Sequence, residues 1–214
     1  MGNARVLRHL PARLNARRPD ARAMEKAVSD FLAATGVDVD DPNLRDTPRR
    51  VTQAWLNDFV DGYQKDAATI LEGTFPSSRK ASRELVVVTG LEFTSICPHH
   101  LLPYSGVAHL AYLPGKKVVG FGRLSALLEM FAHRMVLQED LANNVARELS
   151  SHLGSRGAAC ILEAKQACLR VRGARQHDAW THAEAYEGML KKDGALRREL
   201  WVRIGRHALG ALKK

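Results

Sequence analysis

Two short segments far apart in this chain carry residues that make chemical sense only if the fold brings them together. One is Cys97-Pro98-His99-His100; the other contains Cys168. Two thiolates and an imidazole form a soft nitrogen–sulfur set suited to Zn²⁺. Three protein ligands leave one coordination position open, which marks a metal able to bind and activate water rather than a closed structural site. No second close-spaced pair follows, so the pattern is shorter than a zinc finger's. A plainer reading fits the same residues equally well: two buried thiols and two surface histidines. The neighbouring sequence has to decide between them.

Around Cys168 the stretch Lys165 to Arg172 alternates. Ala167, Leu169 and Val171 fall on one face, and Gln166, Cys168, Arg170 and Arg172 on the other, which predicts a strand. A cysteine among arginines is biased toward thiolate, the form that binds metal. An ordinary strand with a solvated basic face gives the same alternation.

The chain has 214 residues, enough to bury a core without disulfides. Its three cysteines are too few and too odd in number for a disulfide framework and suit a reducing, cytoplasmic setting. No apolar run reaches membrane-spanning length, so no membrane association is expected. The net charge of +9 favours an anionic partner, either nucleic acid or a polyphosphate substrate. Aromatics are only 6%, with no stacking motif or helix-turn-helix pattern, so nucleic acid is the weaker candidate. Arg5, Arg8, Arg13, Arg17 and Arg18 precede the first acid, Asp20, so residues 1–20 read as a basic extension. Arg-rich, acid-poor starts also occur in organelle transit segments.

Periodicity then orders the rest. Residues 21–80 read as a helical region, with Met24, Ala27, Val28, Phe31 and Leu32 at helical spacing before Gly36. A second helix opens at Asp46-Thr47-Pro48 and carries Val51, Trp55 and Phe59. The polar run Pro76 to Arg83 reads as a loop. Residues 81–214 read as the catalytic domain, beginning with a buried strand at Leu85 to Val88. Val107 to Leu113 and Lys117 to Phe121 predict a hairpin turned at Pro114-Gly115. Leu124, Leu127, Leu128 and Phe131 form one helical stripe, and Leu141, Val145 and Leu149 another. Ala158 to Ala164 predicts a strand, and Leu196 to Lys214 a closing helix. This order predicts an α+β domain with largely antiparallel pairing.

Several of these residues together resemble the GTP cyclohydrolase I family. They are Asp46-Thr47-Pro48-x-Arg50, Ser95-x-Cys97-x-His99-His100, Pro103-x-x-Gly106, Ala111-Tyr112-x-Pro114, Gly120, Gln138-Glu139-x-Leu141 and Cys168-x-x-x-Arg172-Gly173, spread over roughly Arg22 to Trp201. The resemblance implies a tunnelling fold, or T-fold: an antiparallel sheet with helices packed on one side. It also implies a homodecamer of stacked pentameric rings, with active sites between subunits. By the same resemblance Cys97, His100 and Cys168 are the zinc ligands, and His99 handles protons beside the metal. Gln138 and Glu139 read the guanine of a GTP substrate, and Arg50, Arg123 and Arg172 contact phosphate. Arginine forks suit such an anionic tail. The implied reaction opens the imidazole ring at C8 and ends in 7,8-dihydroneopterin triphosphate and formate.

Departures from the family pattern fall at chemically sensitive places. Gln166 stands where the family has a second catalytic histidine, and an amide cannot transfer a proton at neutral pH. Ala126 replaces a phosphate-binding arginine, Gly122 a serine, Arg123 and Gln53 two lysines, and Pro98 a glutamate. His177 and His182 are candidates to stand in for the missing imidazole. The competing expectations are a paralog that stops at a formamidopyrimidine nucleotide or takes a less phosphorylated purine, and a non-catalytic nucleotide-binding member. Cys160, flanked by small apolar residues, is expected to be a core thiol.

Overall fold

A computed structural model of the chain describes residues 19–77 and 84–211. The described residues form two compact units, divided between Leu56 and Asn57. Most of the predicted N-terminal extension and of the predicted loop before residue 84 lies outside the described residues.

In the first unit, α1 (Ala21–Ala34) begins where the Asp20 side chain accepts from the Ala23 N–H. Its apolar stripe forms as the spacing predicts, yet none of its residues is buried, and Phe31 is 68% exposed. The helix α2 (Thr47–Ala54) has Pro48 in its first turn, where the missing N–H costs nothing.

The second unit runs α3 (Ala67–Leu71), β1 (Phe75–Pro76), β2 (Val86–Ile96), β3 (Pro103–Leu113), β4 (Lys117–Val118), α4 (Phe121–Ala132) and α5 (Gln138–Ser151). It continues with β5 (Gly157–Gln166), α6 (Ala167–Arg170), β6 (Thr181–Glu187), α7 (Gly188–Lys192) and α8 (Gly194–Ala211). Strands β2, β3, β5 and β6 form one antiparallel sheet in that order, leaving β2 and β6 at its edges.

Alternation along the strands sorts the apolar residues into two cores. Ala108, Leu110 and Tyr112 of β3 and Cys160 and Leu162 of β5 pack with Leu124 and Leu128 of α4 and Leu141 and Val145 of α5. The odd-numbered Ala111, Leu113, Ala159 and Ile161 pack instead with Leu190, Leu196, Leu200 and Ile204. The second core corrects one expectation: helices cover both faces of the sheet, because its interior strands are apolar on both sides. Cys160 is fully buried, and that burial pushes its thiol far up.

Two strand predictions are also corrected. The hairpin at Pro114-Gly115 does not form, since β2 and β5 already occupy both edges of β3. Lys117–Val118 pairs with Phe75–Pro76 instead, and Phe121 starts α4. The predicted strand over Lys165 to Arg172 ends at Gln166, and Ala167–Arg170 is a helical turn. Its partners run out: the ladder to β3 ends at Tyr104–Gln166 and that to β6 at Ala164–Thr181. Gly106 of β3 lies opposite Ala164 of β5. A Cβ there would lie 1.8 Å from the Glu163 carbonyl oxygen, so no other residue fits without moving a strand.

Candidate active site

Strand β2 ends in a tight turn that displays the Cys97-to-His100 segment. The Cys97 N–H donates to the Leu102 carbonyl at 2.9 Å, and the Leu101 N–H returns to the Cys97 carbonyl at 2.9 Å. Leu101 takes a positive φ of 53° to close the turn. Cys97 points inward and is buried, whereas His99 and His100 are exposed. On the other side, the α6 turn carries Cys168, and Gly173 leaves it at φ 56°, the left-handed region glycine tolerates.

These two turns meet. One ligand atom from each of Cys97, His100 and Cys168 falls within 4.8 Å of the others, and Cys97 Sγ lies 3.9 Å from His100 Nδ1. The expected thiolate bias of Cys168 is reversed. Burial and the adjacent Cys97 push its thiol up, while Arg172 pulls weakly the other way. Two thiols and an imidazole converging at one point are the donor set Zn²⁺ takes, and with three protein ligands a fourth position stays open. A second cluster, Asp61, Glu129 and His133, is a poorer metal candidate. Lys65 already sits within it, 2.7 Å from Asp61 and 3.1 Å from Glu129.

Beside the cysteines lies a cavity of about 230 Å³. Its walls include Cys97, His99, Gln138, Glu139, Gln166, Cys168 and Thr181. Glu139 stands in the first turn of α5, exposed at the cavity wall. Gln138 is 4% exposed and spends its whole side chain on the protein. Its Nε2 donates to the Leu162 and Thr181 carbonyls at 3.1 and 3.0 Å. Its Oε1 accepts from Gln166 Nε2 at 2.9 Å and from Thr181 Oγ1 at 2.6 Å. Gln138 therefore has only its backbone left to offer a ligand. Tyr104, also on the wall, donates its hydroxyl to the Val136 carbonyl at 3.0 Å, and burial raises its pKa.

Other predicted site residues stand elsewhere. His182 pairs with Glu163 on β6 and so faces opposite to Thr181, while His177 is exposed and offers its carbonyl to Arg170. Neither lines the cavity formed within one chain. Arg123 donates to the Ile70 carbonyl at 3.2 Å and is also absent from the wall. Arg172 is exposed, close enough to Cys168 for its charge to act on the thiol. Arg50 lies in the first unit, exposed and 3.5 Å from Asp46. Tyr104 carries no site signal in the sequence: it nearly begins a strand, and nothing local distinguishes such a residue from ordinary sheet.

A sequence profile of the GTP cyclohydrolase I family matches residues 24–205. The chain belongs to that family. A GTP cyclohydrolase 1 from Chromobacterium violaceum is 38% identical over 187 residues, covering 87% of this chain and 89% of the relative. One from Ralstonia nicotianae is 37% identical over 180 residues, covering 84% and 85%. One from Corynebacterium glutamicum is 37% identical over 190 residues, covering 88% and 95%. Family membership makes the chain a T-fold enzyme of the hydrolase class. No helix among the described residues is long and apolar enough to cross a membrane.

Proposed function

We propose that this chain hydrolyses GTP at C8 of the guanine and carries the product through to 7,8-dihydroneopterin triphosphate and formate. The observation that carries the reading is the convergence of Cys97, His100 and Cys168 beside a cavity walled by His99 and Glu139. Those three residues would hold Zn²⁺, which when bound supplies Lewis acidity and a water activated near neutral pH.

The protein's own residues do the remaining work. Glu139 accepts from the N–H edge of the guanine, with the backbone at Gln138 beside it. His99, exposed at the cavity wall, moves protons to and from the reacting ring. Hydration at C8 joins the water oxygen to C8, breaks the C8–N7 double bond and leaves a proton on N7. Ring opening then gives a formamide, whose hydrolysis releases formate. Arg172 contacts phosphate, and Arg50 and Arg123 do so from neighbouring subunits.

Sharing of sites between subunits is part of this reading. A cavity of about 230 Å³ is below the ~300–1,000 Å³ typical of ligand pockets. It suits a base and needs further walls for a triphosphate. The unburied stripe of α1 leaves apolar surface that a neighbouring subunit could cover.

Gln166 favours a second reading, in which the reaction stops at the formamidopyrimidine nucleotide because later proton transfers lack their imidazole. Incubation of the zinc-loaded protein with GTP, followed by product analysis, decides. Fluorescent pterin with formate supports the full reaction. A formamide without pterin supports the early stop. Unchanged GTP overturns both.

A further inference from the structure

The orientation of the Gln166 amide is fixed by its neighbours, and that orientation determines what the cavity can recognise. Gln138 Nε2 faces two backbone carbonyls, which only accept, so the Gln138 amide has one allowed orientation and its Oε1 must face Gln166. Gln166 in turn must present Nε2 to that oxygen at 2.9 Å, and the same nitrogen lies 3.5 Å from Thr181 Oγ1. Turning the Gln166 amide over would set two carbonyl oxygens against each other. Both donors of Gln166 are thus directed at the protein, and its Oε1 accepts from no described residue. Gln166 itself lines the cavity, next to Cys168 and His99.

We infer that Gln166 offers the cavity a fixed hydrogen-bond acceptor and no donor, with Gln138 and Thr181 as positioning residues, so that it selects purines carrying N–H rather than a lone pair at position 7. This rests on the guanine-nucleotide reading above. With C8 turned to the Cys97, His100 and Cys168 cluster, its ring neighbours are N9, which carries the ribose, and position 7, the edge open to a wall residue such as Gln166. Intact guanine has a lone pair at N7, whereas the C8-hydrated ring has N–H there and O–H at C8. An acceptor at this point binds the hydrated ring better than the substrate, which is how a residue without a transferable proton still contributes to the first step.

Two unreactive nucleotides separate the ideas by calorimetric binding to the zinc-loaded protein. The triphosphate of 8-oxoguanosine carries N7–H; that of 7-deazaguanosine carries C–H, neither donor nor acceptor. The expected preference for the 8-oxo compound is roughly five- to ten-fold, the value of one hydrogen bond. Gln166→Leu should remove it with zinc content unchanged. Gln166→Asn, which withdraws the acceptor by one methylene, should do the same if the leucine variant fails to fold. Thr181→Val should reduce the preference and Thr181→Ser restore it. Equal binding of both nucleotides to the unaltered protein, or a preference that survives loss of Gln166, overturns the inference while leaving the guanine reading intact. Binding of neither nucleotide overturns the guanine reading and this inference with it.

Discussion

Cys97 Sγ lies 3.9 Å from His100 Nδ1 across a single turn closed by Leu101 at positive φ. That turn alone brings two of the three candidate ligand atoms together. The third, on Cys168, arrives only because β5 ends two residues earlier and the chain coils into α6.

Zinc is the metal that such a donor set suits. One zinc per chain is expected by elemental analysis of the purified protein. Cys168→Ser should lose the metal together with hydrolysis, whereas Cys160→Ser, in the core, should keep it. Full zinc content in Cys168→Ser would falsify the ligand assignment.

Gln166→His tests the later proton transfers. The Gln138 Oε1 that now accepts from Gln166 would accept from the new ring N–H instead, leaving the other ring nitrogen toward the cavity. Pterin turnover at saturating GTP should rise by roughly ten-fold or more, since one general acid or base contributes ~10²–10⁴. Adding Ala126→Arg should act mainly on apparent affinity through the phosphates. No pterin from the double variant, with zinc and assembly intact, would end the GTP-to-pterin assignment.

Assembly is measurable by sedimentation. The proposed shared sites require a high-order oligomer at micromolar protein, most simply a decamer. A monomeric mass would remove Arg50 and Arg123 from the phosphate site.

Acid stability should depend on Asp61. Partial burial raises its carboxyl, but hydrogen bonds from Lys65 and His133, at 2.7 and 2.6 Å, outweigh this and hold it below the ordinary 3.8. A depressed carboxyl stabilises the fold above its unfolded-state value and loses that contribution as pH falls through the folded one. Asp61→Asn should therefore be less stable at neutral pH and show a flatter decline below about pH 4. Parallel acid unfolding curves for the two proteins would contradict this.

Sequence by itself marked the candidate ligands, the family and most helices, because each is carried by residue type, and the helices and the Cys97–His100 pair by short spacing. Cys97 and His100 share one turn, and the stripes of α4 and α5 repeat every three or four residues. It also marked Gln166 as a departure. It did not determine what Gln166 does, because its hydrogen-bond partners lie on α5 and β6, and only sheet register places Thr181 beside Ala164. The same limit misassigned Lys165 to Arg172. Alternation expresses a strand's two faces, but a strand persists only while a neighbour pairs with it, and β3 and β6 both end there. The second core had no local signature either. Ala159 and Ile161 lie in a run apolar on both faces, and α8 packing on the odd-numbered residues is a tertiary fact. Where chemistry rests on residue identity the sequence was sufficient; where it rests on which atom of an amide faces a cavity, the packed structure decided.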